Sequence, residues 1–150
     1  MDSKKITISG VGCALADFLY TNIDFTHSAC QKYLSKKEGD GGMSPGKLIF
    51  TEELEKFSNK PFPEILSEIV GPQSPDVFNL GGPSLVSLIH ASQILDRNEF
   101  EVKFFGIAGD DEISRRIFEA LNRLPLNIRH YSKNLEYTTP FTYVLSDPAY

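Results

Sequence analysis

Short runs of apolar and β-branched residues divide the chain into predicted strands. The run at 6–11 (ITISGV) predicts a first buried strand, and the run at 18–25 (FLYTNIDF) predicts a second extended segment. The run at 102–108 is mostly apolar, which is expected of a strand that is covered on both faces. Further strands are predicted at 76–80, 126–131 and 141–146, the last with strict alternation.

Apolar residues that recur every three or four positions predict helices between these strands. In the segment 83–96, Leu85, Leu88 and Ile89 lie on one predicted face. Further helices are predicted at 51–57, 62–70 and 111–124, and Pro125 ends the last of them.

The order of these elements indicates the fold class. From residue 76 onward strands and helices alternate, which implies right-handed crossovers and a mostly parallel sheet with helices on both faces. The fold class is therefore α/β. The segments at 18–25 and 46–50 are expected to form a small separate sheet. The segment 35–47 is rich in glycine and predicts a loop or a mobile flap.

Composition narrows the possible partners. The chain has 150 residues, enough for one domain, and a formal net charge of −5. An acidic surface argues against non-specific binding of nucleic acid or of anionic membranes, because both require a basic patch. No apolar run has the length of a membrane-spanning helix. Cys13 and Cys30 lack the density of a disulfide scaffold and the spacing of a zinc site, which favours a cytoplasmic protein.

Gly81 and Gly82 lie where a predicted strand turns into a predicted helix. In α/β sheets, ligands bind beyond the carboxyl ends of strands, at this kind of turn. Two residues without Cβ atoms allow positive φ and let a ligand touch the backbone, while Pro83 suits the first helical position. The alternative is a tight turn that needs glycine for its geometry alone, and the motif by itself leaves both open.

Gly10 and Gly12 have the same context at the end of the first strand and suggest a dinucleotide-binding fingerprint. That fingerprint requires Gly or Ala at position 15, where this chain has Leu15. Asp17 follows shortly afterwards, and a carboxylate at this place can accept hydrogen bonds from a diol. Its other interpretation is a loop or capping aspartate.

Four motifs together resemble the N-terminal half of the ribokinase-like (PfkB) carbohydrate kinases. They are Gly10-Val-Gly-Cys-Ala-Leu-Ala-Asp17, Gly81-Gly82-Pro83-Ser84, Phe105-Gly-Ile-Ala-Gly-Asp-Asp111 and Thr139-Pro-Phe-Thr-Tyr-Val-Leu-Ser-Asp147. Their order and spacing follow the family over most of residues 6–147. The resemblance implies a ribokinase-like fold and transfer of phosphate from ATP, with Mg²⁺, to a hydroxymethyl group of a sugar or nucleoside.

The resemblance also implies roles for individual residues. Asp17 matches the aspartate that binds substrate hydroxyls, and Gly81 and Gly82 match the glycine pair that lies against the sugar. Thr139 falls near a threonine on the substrate side of a later strand. Cys13 stands at a position that contacts substrate in the family. The segments at 18–25 and 46–50 resemble the β-lid, which in some members joins two protomers into a homodimer.

Two positions depart from the family's sequence pattern, and the motif of its catalytic aspartate is not matched. Asn is usual where this chain has Cys13 and Val86, which suggests a less polar substrate or lost catalysis. Ala108-Gly109-Asp110 imitates the family's motif for the catalytic aspartate, but Phe104 and Phe105 precede it in place of Asp-Thr, too early in the chain. We therefore expect no catalytic base and no metal ligand here.

The expected organisation is the N-terminal part of one ribokinase-like domain over residues 1–150, without the ATP-binding half, so that this stretch alone lacks kinase activity. Three functions are weighed. The first is an ATP-dependent sugar or nucleoside kinase, with a small molecule as its partner. The second is a non-catalytic sugar- or nucleoside-binding protein of the same fold. The third, a nucleotide-binding oxidoreductase, is disfavoured by Leu15.

Overall fold

A computed structural model describes residues 5–149 as eleven elements of mixed α/β type. The strands are β1 (Ile6–Val11), β2 (Leu15–Tyr20), β3 (Val77–Gly81), β4 (Phe100–Ala108), β5 (Asn127–Lys133) and β6 (Phe141–Leu145). The helices are α1 (Ser28–Gln31), α2 (Thr51–Ser58), α3 (Phe62–Val70), α4 (Pro83–Ile94) and α5 (Glu112–Leu121). Apart from the short α1 and from β2, which overlaps the predicted segment 18–25 only in part, each matches an expected element within a few residues. The α/β class is confirmed.

The strands form two sheets of three rather than one. In the first sheet, with order β1-β4-β5, both pairs are parallel. The second sheet has the order β3-β2-β6. Helix α4 therefore leads from one sheet to the other, because β3 pairs with β2 and not with β4. The expectation of one mostly parallel sheet holds for the first sheet.

The chain divides into two compact units. The first is the chain up to Phe18 together with Val77–Val144, and the second is Leu19–Asp76 together with the chain from Leu145. No helix within residues 5–149 has both the length and the apolar character needed to cross a membrane. The predicted cytoplasmic location stays a prediction.

The core of the first unit lies on one face of the parallel sheet. Val102, Phe104 and Ala108 of β4 are buried, and they belong to one cluster with the inward residues of α4 and α5. On the alternate face, Val11 is 78% exposed and Ile107 is 54% exposed. The second layer of helices that the apolar run at 102–108 predicted is not seen in the described part of the chain. A local run of apolar residues does not reveal which other elements cover it.

The second unit has its own small core and an ordered glycine-rich loop. Tyr33, Leu54 and Ile65 are buried together. In the loop, the Asp40 carboxylate accepts hydrogen bonds from the amides of Lys36, Lys37 and Gly42. Led by the Gly42 amide, these bonds lower the pKa of Asp40 to about 2. The interpretation of 35–47 as a loop is right, and this carboxylate holds part of it in a fixed turn.

The predicted lid strands are not formed as expected. Residues 46–50 contain no strand, and β2 begins before the predicted segment and ends at Tyr20. Beyond the end of β2, the Asp24 carboxylate accepts hydrogen bonds from the amide and hydroxyl of Thr26 and makes a turn within the predicted segment 18–25 and just after it. The short helix α1 follows, with His27 as its N-cap.

Candidate functional site

Asp17 projects from the less buried face of β2. Along this strand Ala16 and Phe18 are buried in the core of the first unit, while Leu15 and Asp17 on the alternate face are half-buried. The two-residue period of a strand therefore directs the carboxylate away from the core. Asp17 can reach a ligand without disturbing the core packing.

The last residue of β3 lies directly beside this carboxylate. Gly81 is buried, and a Cβ atom added there would come 2.7 Å from Asp17 Oδ2 and closer still to the side chain of Leu15. Only the absence of a side chain at Gly81 lets Asp17 lie against the backbone of β3. The structure thus brings together two residues that the sequence placed far apart.

Gly82 adopts a conformation that favours glycine, at the start of α4. Its φ is +103°, and an added Cβ would collide with the carbonyl oxygen of Cys13. Its own carbonyl accepts the first hydrogen bond of the helix, from Val86 N at 2.9 Å. The Cys13 side chain is exposed. We call Cys13, Asp17, Gly81 and Gly82 the Asp17 cluster.

Contacts within the chain therefore explain why both positions are glycine. Gly81 makes room for Leu15 and Asp17, and Gly82 makes room for the backbone at Cys13. The predicted approach of a ligand to this backbone is an additional role and stays a prediction. Because α4 begins here with Pro83, only the amides of Ser84 and Leu85 lack an acceptor within the first turn of the helix.

The Asp17 carboxylate differs from the other aspartates of the described chain. Within residues 5–149 it has neither a hydrogen-bond donor nor an ion-pair partner, although it is half-buried. Every other described aspartate accepts a hydrogen bond from an amide or pairs with a lysine; these are Asp24, Asp40, Asp76, Asp96, Asp110, Asp111 and Asp147. Polar groups that are withdrawn from water are normally paired. An unpaired carboxylate of this kind is a candidate for ligand binding.

The end of β4 shows the opposite arrangement around Asp111. This residue caps α5, with Oδ1 accepting from Ser114 N at 2.7 Å, while Oδ2 accepts from Thr139 N at 2.8 Å. The hydroxyl of Thr139 accepts from Gly109 N at 3.0 Å. We call Gly109, Asp111, Ser114 and Thr139 the Asp111 cluster.

These hydrogen bonds control the ionisation of Asp111. Partial burial acts to raise its pKa, but the amides of Thr139 and Ser114 stabilise the charged form and the net effect lowers the pKa. Asp111 is therefore a charged structural cap of α5.

The predicted site residue Thr139 lies within the Asp111 cluster, and Asp110 lies beside it. Thr139 is 1% exposed, and its amide and hydroxyl both bind the chain. Its predicted contact with substrate stays a prediction. Asp110 is exposed and pairs with Lys133 at 2.7 Å. An exposed, paired carboxylate is poorly suited to be a base, and the expectation that Asp110 is not catalytic stays a prediction.

Gly10 and Gly12 serve the packing of α4 against β1. A Cβ at Gly10 would lie 2.8 Å from Ser84 Oγ, and a Cβ at Gly12 would lie 3.0 Å from Ser84 Cβ. The glycines let the first turn of the helix approach the strand. This role explains the glycines without a dinucleotide and agrees with the mismatch at Leu15.

Tyr131 is a residue that the sequence analysis did not single out. Its ring is buried in the core of the first unit, and its hydroxyl has no hydrogen-bond partner among residues 5–149. No local pattern in the sequence could have revealed this, because lacking a partner is a property of the three-dimensional surroundings.

The described residues do not form a metal site. No group of three or more His, Cys, Asp or Glu side chains within residues 5–149 could hold a metal ion. The Mg²⁺ and ATP that the family resemblance implies stay predictions of that resemblance.

Comparison with known proteins supports the ribokinase-like resemblance. No protein-family model and no curated protein sequence matches the chain. Its structure is similar to that of adenosine kinase from Anopheles gambiae, solved in complex with P1,P4-di(adenosine-5) tetraphosphate, with a TM-score of 0.62 and 25% sequence identity. The likeness covers 93% of this chain and 35% of the kinase. The chain thus spans about a third of that protein's length and shares the fold of this part.

Proposed function

We propose that the chain forms the acceptor-binding part of an ATP-dependent kinase that phosphorylates a hydroxymethyl group of a sugar or nucleoside. Its fold resembles that of an adenosine kinase, and its motifs follow the order of the ribokinase-like family. The observation that carries the proposal is the half-buried carboxylate of Asp17, which has no partner within residues 5–149 and lies beside the bare backbone of Gly81.

Asp17 is suited to bind a diol. A carboxylate has two oxygen atoms and accepts hydrogen bonds only, so neighbouring hydroxyls of a sugar ring can both donate to it. Hydrogen bonds to a charged group contribute about 1.5–3 kcal/mol each. The other half-buried aspartates already use their acceptors within the chain, which leaves Asp17 as the binding residue.

The rest of the Asp17 cluster shapes the place where the sugar is held. Gly81 and Gly82 present backbone in place of side chains, and the exposed Cys13 thiol replaces an amide that would bind hydroxyls in the family. A less polar substituent of the substrate is expected beside Cys13. This favours a nucleoside or a deoxygenated sugar over a fully hydroxylated hexose.

The reaction itself needs groups beyond those assigned to this chain. ATP supplies the phosphoryl group, and a carboxylate base assists the attack of the acceptor hydroxyl in this class of reaction. Asp110 is exposed and paired with Lys133, so we assign the base to no residue here. The contribution of this chain is to bind and orient the acceptor.

A non-catalytic binding protein is the second candidate. It is favoured by Cys13 and Val86, which stand where the family usually has asparagine. Such a protein would bind the same class of small molecule through Asp17 without transferring phosphate.

The second unit is proposed to serve as the lid. It contains residues 19–25 and 46–50 of the segments that resemble the family's lid, even though residues 46–50 form no strand. A cytoplasmic location and a homodimer through this unit belong to the same proposal.

A binding screen followed by an activity assay tests the proposal. The intact protein is screened by thermal shift against nucleosides and sugars, and each hit is assayed for acceptor-dependent formation of ADP from ATP with Mg²⁺. A kinase gives a rise in melting temperature and one ADP for each phosphorylated acceptor. A rise without ADP supports the binding protein, and the absence of any rise contradicts both.

A further inference from the structure

The buried hydroxyl of Tyr131 is the strongest unexplained feature outside the Asp17 cluster. The residue is 4% exposed, and its ring stacks on Phe118 with centroids 4.6 Å apart and lies 5.4 Å from the ring of Phe104. The ring is thus held by aromatic contacts on two sides. Its oxygen is shielded from solvent and has no hydrogen-bond partner among residues 5–149. Natural proteins rarely leave such a group unpaired.

The backbone of Tyr131 lies level with the end of β1 across the parallel sheet. It is the register partner of Gly106 on β4. A Cβ at Gly106 would lie 2.8 Å from the carbonyl oxygen of Gly12, the residue that precedes Cys13. Tyr131, Gly106 and Gly12 therefore form a row across the parallel sheet that leads to the Asp17 cluster.

The electrostatic surroundings of the hydroxyl agree with this position. Burial, followed by the charge of Asp111 and the thiol of Cys13, raises the pKa of Tyr131 to about 12. Both named groups lie beyond the carboxyl ends of their strands, at the edge where ligands bind in α/β sheets. A hydroxyl with this pKa remains protonated at neutral pH and can act as a hydrogen-bond donor.

We propose that Tyr131 is a further ligand-binding residue, whose hydroxyl donates a hydrogen bond to an oxygen of a hydroxyl-bearing small molecule at the Asp17 cluster. The proposal rests on the proposed function and adds a donor to a site whose proposed binding side chain, Asp17, only accepts. Because the Tyr131 oxygen is shielded from solvent, the contact requires a local rearrangement around this oxygen on binding.

Tyr131→Phe tests the inference, because the hydroxyl affects stability and binding in opposite directions. Removing an unpaired buried hydroxyl should leave the melting temperature unchanged or higher. The same change should weaken binding of adenosine or D-ribose, measured by calorimetry on the intact protein, about 3- to 10-fold, as expected for the loss of one net hydrogen bond.

Tyr33→Phe is the matched control in the second unit. Tyr33 is also buried, but its hydroxyl donates to Glu68 Oε2 at 2.6 Å. This variant should lose melting temperature and keep its affinity for the same probes.

Three outcomes overturn the inference. A lower melting temperature of Tyr131→Phe would mean that the hydroxyl has a partner without a bound molecule. Unchanged affinity of this variant for a probe that the wild type binds would reject the Tyr131 contact and leave the proposed function standing. Failure of the wild type to bind either adenosine or D-ribose would reject both together.

Discussion

The Asp17 cluster and the Asp111 cluster lie at strand ends of the same unit, yet the chain treats their carboxylates differently. Asp111 receives the amides of Ser114 and Thr139, one on each oxygen. Asp17 receives nothing from residues 5–149, although it is half-buried beside Gly81. Both residues are aspartates near glycines in motifs that resemble the same family. The hydrogen bonds, and not the motif, distinguish a structural carboxylate from one that is available to a ligand.

This difference in hydrogen bonding predicts that Asp111 contributes to stability and Asp17 to ligand binding. A carboxylate that binds amides lowers the free energy of the folded chain, and its removal should be seen in unfolding. A carboxylate without partners carries a desolvation penalty, which is acceptable where a ligand later provides the donors. Substitutions in the two clusters should therefore produce opposite patterns of stability and affinity.

The largest effect on stability is expected from Gly82→Ala. The new Cβ meets the Cys13 carbonyl at a φ of +103°, so both backbone strain and a steric clash oppose it. Strain costs about 1–3 kcal/mol and overpacking about 1–3 kcal/mol, which predicts a total loss of about 2–6 kcal/mol in the free energy of unfolding. Denaturant titration measures it.

Gly46→Ala is the control for strain alone. Gly46 has a φ of +72° and open space within 4 Å of the added Cβ. This variant should lose only about 1 kcal/mol. Equal losses in the two variants would show that Cys13 does not confine Gly82, and the packing of the Asp17 cluster would have to be reconsidered.

Asp111→Ala should have the next largest effect. It removes two amide hydrogen bonds to a charged group, one of which is the N-cap of α5, and this predicts a loss of about 2–3 kcal/mol in the free energy of unfolding. Asp110→Ala, which breaks only the exposed pair with Lys133, should lose less than about 1 kcal/mol. If the two neighbouring variants were equally stable, Asp111 would not be the structural carboxylate that its contacts indicate.

The contribution of Asp111 should depend on pH. Its pKa in the folded chain is lowered from the ordinary value of 3.8, so the stability it provides is present above that value and is lost as the pH falls through the lower, folded pKa. The difference in unfolding free energy between wild type and Asp111→Asn should be constant near neutral pH and shrink below about pH 4. A difference that grows with acidity would contradict the assigned sign.

Local sequence patterns predict most helices and strands, but they do not predict which strands pair or which faces are covered. The bounds of α3 match the predicted 62–70, because Pro63 and the helical spacing of apolar residues mark it locally. The prediction of a lid strand at 46–50 was wrong, since a strand also needs a partner strand and this segment pairs with none among residues 5–149. Similarly, the apolar run of β4 could not show that Ile107 would lie exposed.

The sequence predicted which residues form the candidate site, but not which hydrogen bonds they make or lack. Asp17, Gly81 and Gly82 were singled out from motifs, and the structure brings them together. That Asp17 alone lacks a partner among the described aspartates, and that Tyr131 has an unpaired hydroxyl, depends on residues distant in sequence. Such properties become visible only when the contacts of every polar group are known.

The smallest effect on stability is expected from Asp17→Ala. Because no group within residues 5–149 binds this carboxylate, its removal should change the free energy of unfolding by less than about 0.5 kcal/mol, or increase it. A loss comparable to that of Asp111→Ala would mean that Asp17 is a structural residue, and the contrast between the clusters would disappear.

The affinity of the same variant tests the central claim most directly. Calorimetry should compare wild type, Asp17→Ala and Asp110→Ala, using the nucleoside or sugar that raises the melting temperature most in the screen. If Asp17 accepts hydrogen bonds from two hydroxyls of the bound molecule, Asp17→Ala should lose about 3 kcal/mol or more of binding free energy, a factor of more than 100, while Asp110→Ala binds like wild type. Unchanged affinity in a folded Asp17→Ala protein would contradict the claim.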